Sequence, residues 1–337
     1  MIKTALSHPN KALVIYWGNE DDTLRIPTRS SLSLTLEGIN HALDYIVTLR
    51  TIQSAERDRV IIEGTEDKGE IYKQFVRHLD IMRAYTGFRN KVEVITRATF
   101  PIGSGLAGSA ASASAVAEAF AGLVGKTEDR RLISIMARRG SGSASRSVFG
   151  GSVVWQKGSS DDSSYARQLF DEKHWDIRNV IAIVSSRPKL TSSIIGMQLS
   201  KSTCPESLYA TFADAAEFHI EKIKSAIDAR DIETLGAFYE SENSLFRKIC
   251  LNTKPSLDYW KGPTHHIINM VSTLRTEGVP AYAGTDAGPN VHVLTPVKHV
   301  ERVLSTLQGL EGVEKLVHCK VGEGSHLIED DLAWNSG

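Results

Sequence analysis

Blocks of alternating or helically spaced apolar residues divide the chain into strands and helices. Ala12 to Trp17 is apolar and rich in β-formers, and Ser31 to Leu36 alternates polar and apolar residues as a half-buried strand does. Asp44 to Thr51 and Arg59 to Glu63 are further strand candidates, so the early chain predicts an antiparallel sheet. Between Glu70 and Tyr85, Ile71, Phe75, Leu79 and Met82 recur at helical spacing, and Gly87 is placed to end that helix. Lys91 to Thr96 reads as the next strand. It delivers the chain to Thr99–Ala121, a glycine-rich loop running into a helix of alanines and small serines.

A helix over roughly 128–138 and a strand at Gly151 to Gln156 follow. The chain is then polar and charged from about 158 to 178, which places a soft domain boundary there, with Gly158 to Ser164 as a hairpin turn. Val180 to Ser185 resumes as a buried strand. Leu208, Phe212, Ala215, Ile223 and Ile227 fall at helical spacings, and Asp231 to Cys250 and His265 to Glu277 read as further helices, broken at Lys254-Pro255 and Gly262-Pro263. Ala281 to Ala283, Val291 to Leu294 and Lys315 to Val321 read as strands around a helix from Val297 to Leu307. A helix-covered antiparallel sheet uses them all, which makes the class α+β, with domains expected at 1–178 and 179–337.

Composition narrows the chemistry. With 39 basic and 40 acidic residues the net charge is −1, so no global field favours nucleic acid or an anionic membrane, and any anion recognition is local. Cys204, Cys250 and Cys319 lack CxxC spacing, which argues against a zinc cage or a disulfide framework, although a Cys204–Cys250 pair stays open. No apolar run suits a signal peptide or a membrane span, so a cytoplasmic protein is expected.

Two segments concentrate small and polar residues. Gly103, Gly105 and Gly108 let the backbone approach an anion at a helix N-terminus, with Ser104 and Ser109 adding hydroxyls for a phosphate or its cation. The same small residues also suit a helix packed closely on a sheet. Gly125-Lys126-Thr127 is not a Walker A loop, because Phe120 stands where its first glycine belongs. The run Arg138-Arg139-Gly140-Ser141-Gly142-Ser143-Ala144-Ser145-Arg146-Ser147 gathers three arginines among small residues, an anion site or a basic turn. Asp286 stands in the turn Thr285-Asp286-Ala287-Gly288-Pro289-Asn290, aimed into a cleft or serving as a turn residue. His265-His266 lacks metal-ligand spacing, and Trp155, Trp175 and Trp260 read as core or interface residues.

Pro101-x-x-x-Gly105-Leu106-x-x-Ser109-Ala110 resembles the ATP-phosphate loop of the GHMP kinase superfamily, with Gly108 in place of one of two adjacent serines. Tyr16-Trp17-Gly18 with Asp21, Arg25-Ile26-Pro27 and Ser30-Ser31-Leu32-Ser33 is similar to the opening segment of diphosphomevalonate decarboxylases. Arg139 to Ser147 with Phe149-Gly150-Gly151 resembles their serine and arginine segment, and Ala281 to Asn290 their aspartate turn. Weaker echoes stand at Gly196-Met197-Gln198 and Val321-Gly322-x-Gly324. By this resemblance the chain is identified as a member of the mevalonate diphosphate or phosphomevalonate decarboxylase family.

The resemblance implies a GHMP kinase fold. Its N-terminal domain is α/β, like domain 2 of ribosomal protein S5; its C-terminal domain is ferredoxin-like, and the active-site cleft lies between them. It also implies ATP-dependent 3-phosphorylation and decarboxylation of a 5-phosphorylated mevalonate, in the mevalonate pathway of isoprenoid biosynthesis. Asp286 and Arg146 are then catalytic, the arginine binding the substrate carboxylate. Tyr16, Trp17, Asn19, Arg139, Ser141, Ser143 and Ser145 bind substrate. Pro101, Gly103, Ser104, Gly105, Leu106, Gly108, Ser109 and Ala110 hold ATP, and Ser109 also meets Mg2+. A homodimer is implied as well.

Ile15 and Asn19 depart from the family pattern, which has lysine at both. Lys11 is a possible substitute, sharing a face with Ile15 if both lie on one regular strand. Fewer lysines suit fewer phosphates, so 5-phosphomevalonate is favoured over the 5-diphosphate. An ATP-independent decarboxylase of the 3,5-bisphosphate and a non-catalytic anion-binding relative are the alternatives. A pure 3-kinase is disfavoured by Asp286.

Overall fold

The structure, a computed structural model, describes residues 1–100, 108–187 and 189–329. Among these residues the strands form two large sheets and a small ribbon. The first sheet runs His326–Ile328, Ile2–Ser7, Tyr45–Ile52, Lys91–Ala98, Arg59–Ile62, Thr65–Glu66. Its pairings are antiparallel except Arg59–Ile62 on Lys91–Ala98, which is parallel. The helix Glu70–Thr86 lies between those two strands in sequence and returns the chain in the same direction, so the expectation of a wholly antiparallel sheet fails there. Gly87 ends that helix in the left-handed region, with φ 73° and its N–H donating to the Arg83 carbonyl at 2.8 Å.

The second sheet runs Ala166–Phe170, Ser152–Trp155, Ser31–Gly38, Lys315–Val321, Ile177–Ile183, Val291–Pro296, Tyr282–Thr285, with Asn10–Val14 also paired to Ser31–Gly38. All of its pairings are antiparallel. Ser31–Gly38 is its hinge strand, because it joins N-terminal strands to Lys315–Val321. The aspartate turn and the arginine segment, far apart in sequence, are thereby hung on one sheet.

The helix Gly108–Leu123 packs on Ile2–Ser7 and Tyr45–Ile52 and is almost wholly buried, as its alanines allow. Ser114 and Ser7 join it to the sheet through hydroxyls 2.6 Å apart. Two long helices, Glu206–Ala229 and Ile232–Asn252, form an antiparallel pair. Arg230 turns the chain between them with φ 56°, and the Asp231 side chain caps the second by accepting from the Glu233 and Thr234 N–H groups. This pair is tied to the N-terminal segment by a buried network. Arg29 donates to Glu242 at 2.5 Å, His219 Nδ1 lies 2.7 Å from the same carboxylate, and the Ile15 N–H donates to it at 3.0 Å. Removing one partner of such a pair costs about 3–5 kcal/mol, so this network fixes the segment that carries the site.

The hairpin between Ser152–Trp155 and Ala166–Phe170 turns at the predicted serine-rich patch, but its second strand lies in the stretch read as a boundary. Arg167 and Gln168 are exposed on this edge strand, which hides its alternation. The helix Ser193–Thr203 also escaped the pattern, since only Gly196, Met197 and Ser200 of it are buried. Cys204, Cys250 and Cys319 are all free and buried, so the open Cys204–Cys250 pair is not formed. No helix among the described residues is long and apolar enough to cross a membrane.

Candidate active site

The turn carrying Asp286 follows Tyr282–Thr285 and is held from several sides. Asn243 Oδ1 accepts from the Thr285 N–H at 2.6 Å, and Trp260 Nε1 donates to Thr285 Oγ1 at 2.6 Å. Thr264 donates to the Pro289 carbonyl at 2.7 Å. Asn290 Oδ1 accepts from Val184 and Ser185 at 2.8 and 3.1 Å. The carboxylate therefore sits on a rigid support.

Lys11 reaches it from Asn10–Val14, with Nζ 2.6 Å from Asp286 Oδ1. The Lys11 side chain is fully buried, whereas the Asp286 side chain is 28% exposed and open to the cleft. Burial pulls the Asp286 carboxyl upward, but the Lys11 ammonium and the charge of Lys189 outweigh it and hold the carboxyl below its ordinary value. Asp286 is thus an ionised acceptor at neutral pH. Burial draws the Lys11 ammonium down, opposed by the same ion pair. His292 Nε2 lies 3.6 Å from Asp286 Oδ2, and burial lowers its pKa to about 3, so it faces the carboxylate neutral.

Lys11 and Ile15 do not share a strand face. The register slips between Ala12 and Val14, and the extra residue reverses the alternation beyond it. Lys11 turns to Asp286 while Ile15 packs with Trp17, Met197 and Phe212.

Arg146 stands in the short helix Ala144–Ser147, only 2% exposed. It donates to Ser33 Oγ at 2.9 Å, to Ser31 Oγ, and to Asn10 Oδ1 at 3.1 Å. Among the described residues no carboxylate forms an ion pair with it. Burial brings its pKa down to about 10, with the charge of Asp286 opposing. A buried guanidinium held only by neutral groups is poised for an anionic guest.

The other two arginines of that segment have an acidic partner. Arg138 and Arg139 both pair with Asp161, and Arg139 also donates to Tyr85 at 2.9 Å. This internal pairing engages the Arg139 guanidinium. Ser145 is also buried and donates to the Gly142 carbonyl at 2.9 Å, bracing the segment. Ser141 and Ser143 remain half-buried at the cleft. Trp17, expected at the substrate, is 3% exposed, donates to Ser200 Oγ at 2.9 Å and stacks edge-on against Phe246 and Tyr259. Tyr16 does face the segment: its ring lies against Gly142, where any side chain would collide with it, and against Trp155. Its hydroxyl donates to Asn19 Oδ1 at 2.5 Å, and the Asn19 amide donates to Asp22 at 2.8 Å.

Of the expected ATP residues, Pro101, Gly103, Ser104, Gly105 and Leu106 lie outside the described residues. Gly108, Ser109 and Ala110 open the helix Gly108–Leu123, Ser109 exposed in its first turn and 3.4 Å from the Ser141 hydroxyl. That contact brings the loop's helix to the arginine segment. No group of three or more metal-ligating side chains occurs among the described residues. His265 instead meets Arg247 at 3.1 Å.

The profile described as "Diphosphomevalonate decarboxylase-like N-terminal domain" matches residues 7–166, and "Mevalonate 5-diphosphate decarboxylase C-terminal domain" matches 179–323. A diphosphomevalonate decarboxylase of Candida albicans is 31% identical over 96% of this chain and 97% of its own. The chain belongs to the mevalonate diphosphate decarboxylase family. This is a family of carboxy-lyases. The human diphosphomevalonate decarboxylase is 33% identical over 87% of this chain and 76% of its own. The crystal structure of mevalonate diphosphate decarboxylase from Staphylococcus aureus superposes with a TM-score of 0.91 at 28% identity, covering 98% of this chain and 99% of that one. Another solved structure, "MDDEF in complex with MVAPP, AMPPCP and Magnesium", gives a TM-score of 0.89 at 30% identity with the same coverage. The GHMP kinase fold expected from the sequence is the fold observed.

Against this decarboxylase-family framework, sequence reasoning left Lys11 as a possible substitute only and overlooked Lys189. The signal that pointed to Lys11 is its even spacing from Ile15, where the family has lysine, and the structure places it in the fully buried strand Asn10–Val14. Lys189 donates to Ser193 Oγ at 2.6 Å and to the Ala287 carbonyl at 2.9 Å, tying the aspartate turn to Ser193–Thr203. No local pattern announces it.

Proposed function

We propose that this protein catalyses the ATP-dependent decarboxylation of mevalonate 5-phosphate to isopentenyl phosphate. The observation that carries the reading is the Lys11–Asp286 pair, its carboxylate partly exposed and near enough to act on the Arg146 guanidinium, which has no acidic partner of its own among the described residues. The choice of a single phosphate is supported by asparagine, not lysine, at position 19. Asn19 has its amide engaged by Tyr16 and Asp22, and the nearby Lys201 ammonium is taken up by the Asn19 carbonyl at 2.7 Å and lies 3.8 Å from Glu20.

In this mechanism Asp286 Oδ2 accepts the proton of the tertiary 3-hydroxyl, and the Lys11 ammonium keeps that carboxylate ionised and aimed. Bound ATP supplies the phosphoryl group for that oxygen, with magnesium neutralising its charge. Ser109 and Ser141, meeting at the helix N-terminus, fit the holding of such an anion. Arg146 orients the substrate carboxylate. When the bond from that carboxylate to the chain breaks, its electron pair forms the new double bond and expels the 3-phosphate, releasing carbon dioxide.

The decisive test is carbon dioxide release from mevalonate 5-phosphate and from the 5-diphosphate, each with and without ATP and magnesium. Preference for the diphosphate overturns the single-phosphate assignment, and no release from either overturns the reading. Arg146→Lys is expected to lower kcat/KM about tenfold by losing charge-assisted hydrogen bonds of the fork, and unchanged steady-state kinetics would remove the carboxylate clamp. Ser109→Ala is expected to raise the KM for ATP about tenfold while leaving the KM for mevalonate 5-phosphate alone. An enzyme indifferent to that change would take the helix N-terminus out of nucleotide binding.

A further inference from the structure

Arg25 lies in the turn between Asn19–Asp21 and Ile26–Pro27, with φ 53°, a left-handed backbone that arginine rarely adopts. That turn throws its half-buried side chain across to the arginine segment, where Nε donates to the Arg139 carbonyl at 3.1 Å. A second bond, from Arg138 Nε to the Leu24 carbonyl at 3.1 Å, locks the same two stretches together. The head of Arg25 is therefore fixed at the start of Gly140-Ser141-Gly142, on the Tyr16 side of the cleft.

Its terminal nitrogens have no hydrogen-bond or ion-pair partner among the described residues. Asp22 is near, but its carboxylate accepts from Asn19 at 2.8 Å and from Gln198 at 3.2 Å. The other charged groups acting on Arg25 are the guanidiniums of Arg77 and Arg139, and Arg139 is already paired with Asp161. Asp22 acts on Arg25 from a distance and Arg77 and Arg139 oppose it, but among the described residues no acid contacts the Arg25 terminal nitrogens, so an anion is the guest that would pair with them. Arg25 and Arg146 both act on the Tyr16 phenol, which burial pushes up to about 12, so the phenol stays a neutral donor between two cationic poles.

We propose that Arg25 is the specificity-determining residue that binds the phosphoryl group on C5 of the substrate. Arg146 takes the carboxylate at the other end. The assignment rests on the decarboxylase reading above, and it gives the site one free guanidinium for one phosphate.

The test compares wild type, Arg25→Asn and Arg25→Lys. Asparagine tolerates a left-handed backbone, so it removes the guanidinium without straining the turn. Calorimetric titration with mevalonate 5-phosphate in the absence of ATP, alongside steady-state kinetics, is expected to show Kd and KM raised about tenfold or more in Arg25→Asn. In the same variant kcat and the KM for ATP stay near wild type, and the affinity for unphosphorylated mevalonate does not change. Arg25→Lys recovers part of the loss. Unchanged Kd in Arg25→Asn, or equal loss of affinity for unphosphorylated mevalonate, would overturn the assignment while wild-type turnover left the decarboxylase reading standing. A wild-type protein that neither binds nor turns over mevalonate 5-phosphate would overturn that reading itself.

Discussion

Asp286→Asn is expected to lower kcat by about 10²–10⁴-fold, the range set by loss of a positioned general base. The amide keeps an oxygen that can accept from Lys11, so the 2.6 Å contact has a replacement and the turn keeps its supports from Asn243, Trp260, Thr264 and Asn290. What the amide lacks is basicity. The variant should therefore fold, melt near wild type and bind mevalonate 5-phosphate, while single-turnover carbon dioxide release all but stops. Near-normal release would take the carboxylate out of the mechanism.

Lys11→Met should be the next most damaging change. Methionine refills most of the buried stem but supplies no charge, and removing one preorganised electrostatic group from a water-poor site costs about 10²–10³-fold in kcat. The effect on pH dependence has a definite sign. In the wild type Lys11 helps hold the Asp286 carboxyl below its ordinary value of 3.8, so the ionised base persists well into acid. Without the ammonium, burial is left as the largest influence and it acts upward. A base is active above its pKa and lost as pH falls through it, so the acid limb of kcat should move to higher pH in Lys11→Met. Profiles of kcat against pH for the two proteins decide this, and an acid limb that stayed in place would mean that Lys11 does not govern Asp286.

Much of the chemistry was legible where function and neighbours are local. Asp286 stood out because its glycine-bearing turn matches the family's aspartate turn, and Arg146 because its segment of small residues matches the family's serine and arginine segment. The helix Gly108–Leu123 was legible from its alanines and glycines. The neighbours of Arg139 and Trp17 were not, because each residue meets a partner distant in sequence. Asp161 returns from a hairpin to neutralise Arg139, and Ser200 and Phe246 arrive from C-terminal helices to enclose Trp17. Arg25 was visible only as part of a matching segment. Its importance comes from a carbonyl 114 positions away that fixes the guanidinium in the cleft.

Periodicity and residue chemistry by themselves determined the order of most strands and helices and the glycine-rich approach to a helix, and the family resemblance of short motifs singled out an acid and an arginine. These are properties of short stretches, where backbone preference and side-chain spacing act within a few residues. Only the tertiary structure decided which charges are free and which are spent. The sheet carries Lys11 to Asp286 across 275 positions while the register slip after Ala12 turns Ile15 elsewhere, Asp161 pairs with Arg138 and Arg139, and among the described residues Arg25 and Arg146 are left without an acidic partner in contact. The physical reason is that a charge is tuned by whatever lies within a few ångströms of it, and that neighbourhood is a product of folding.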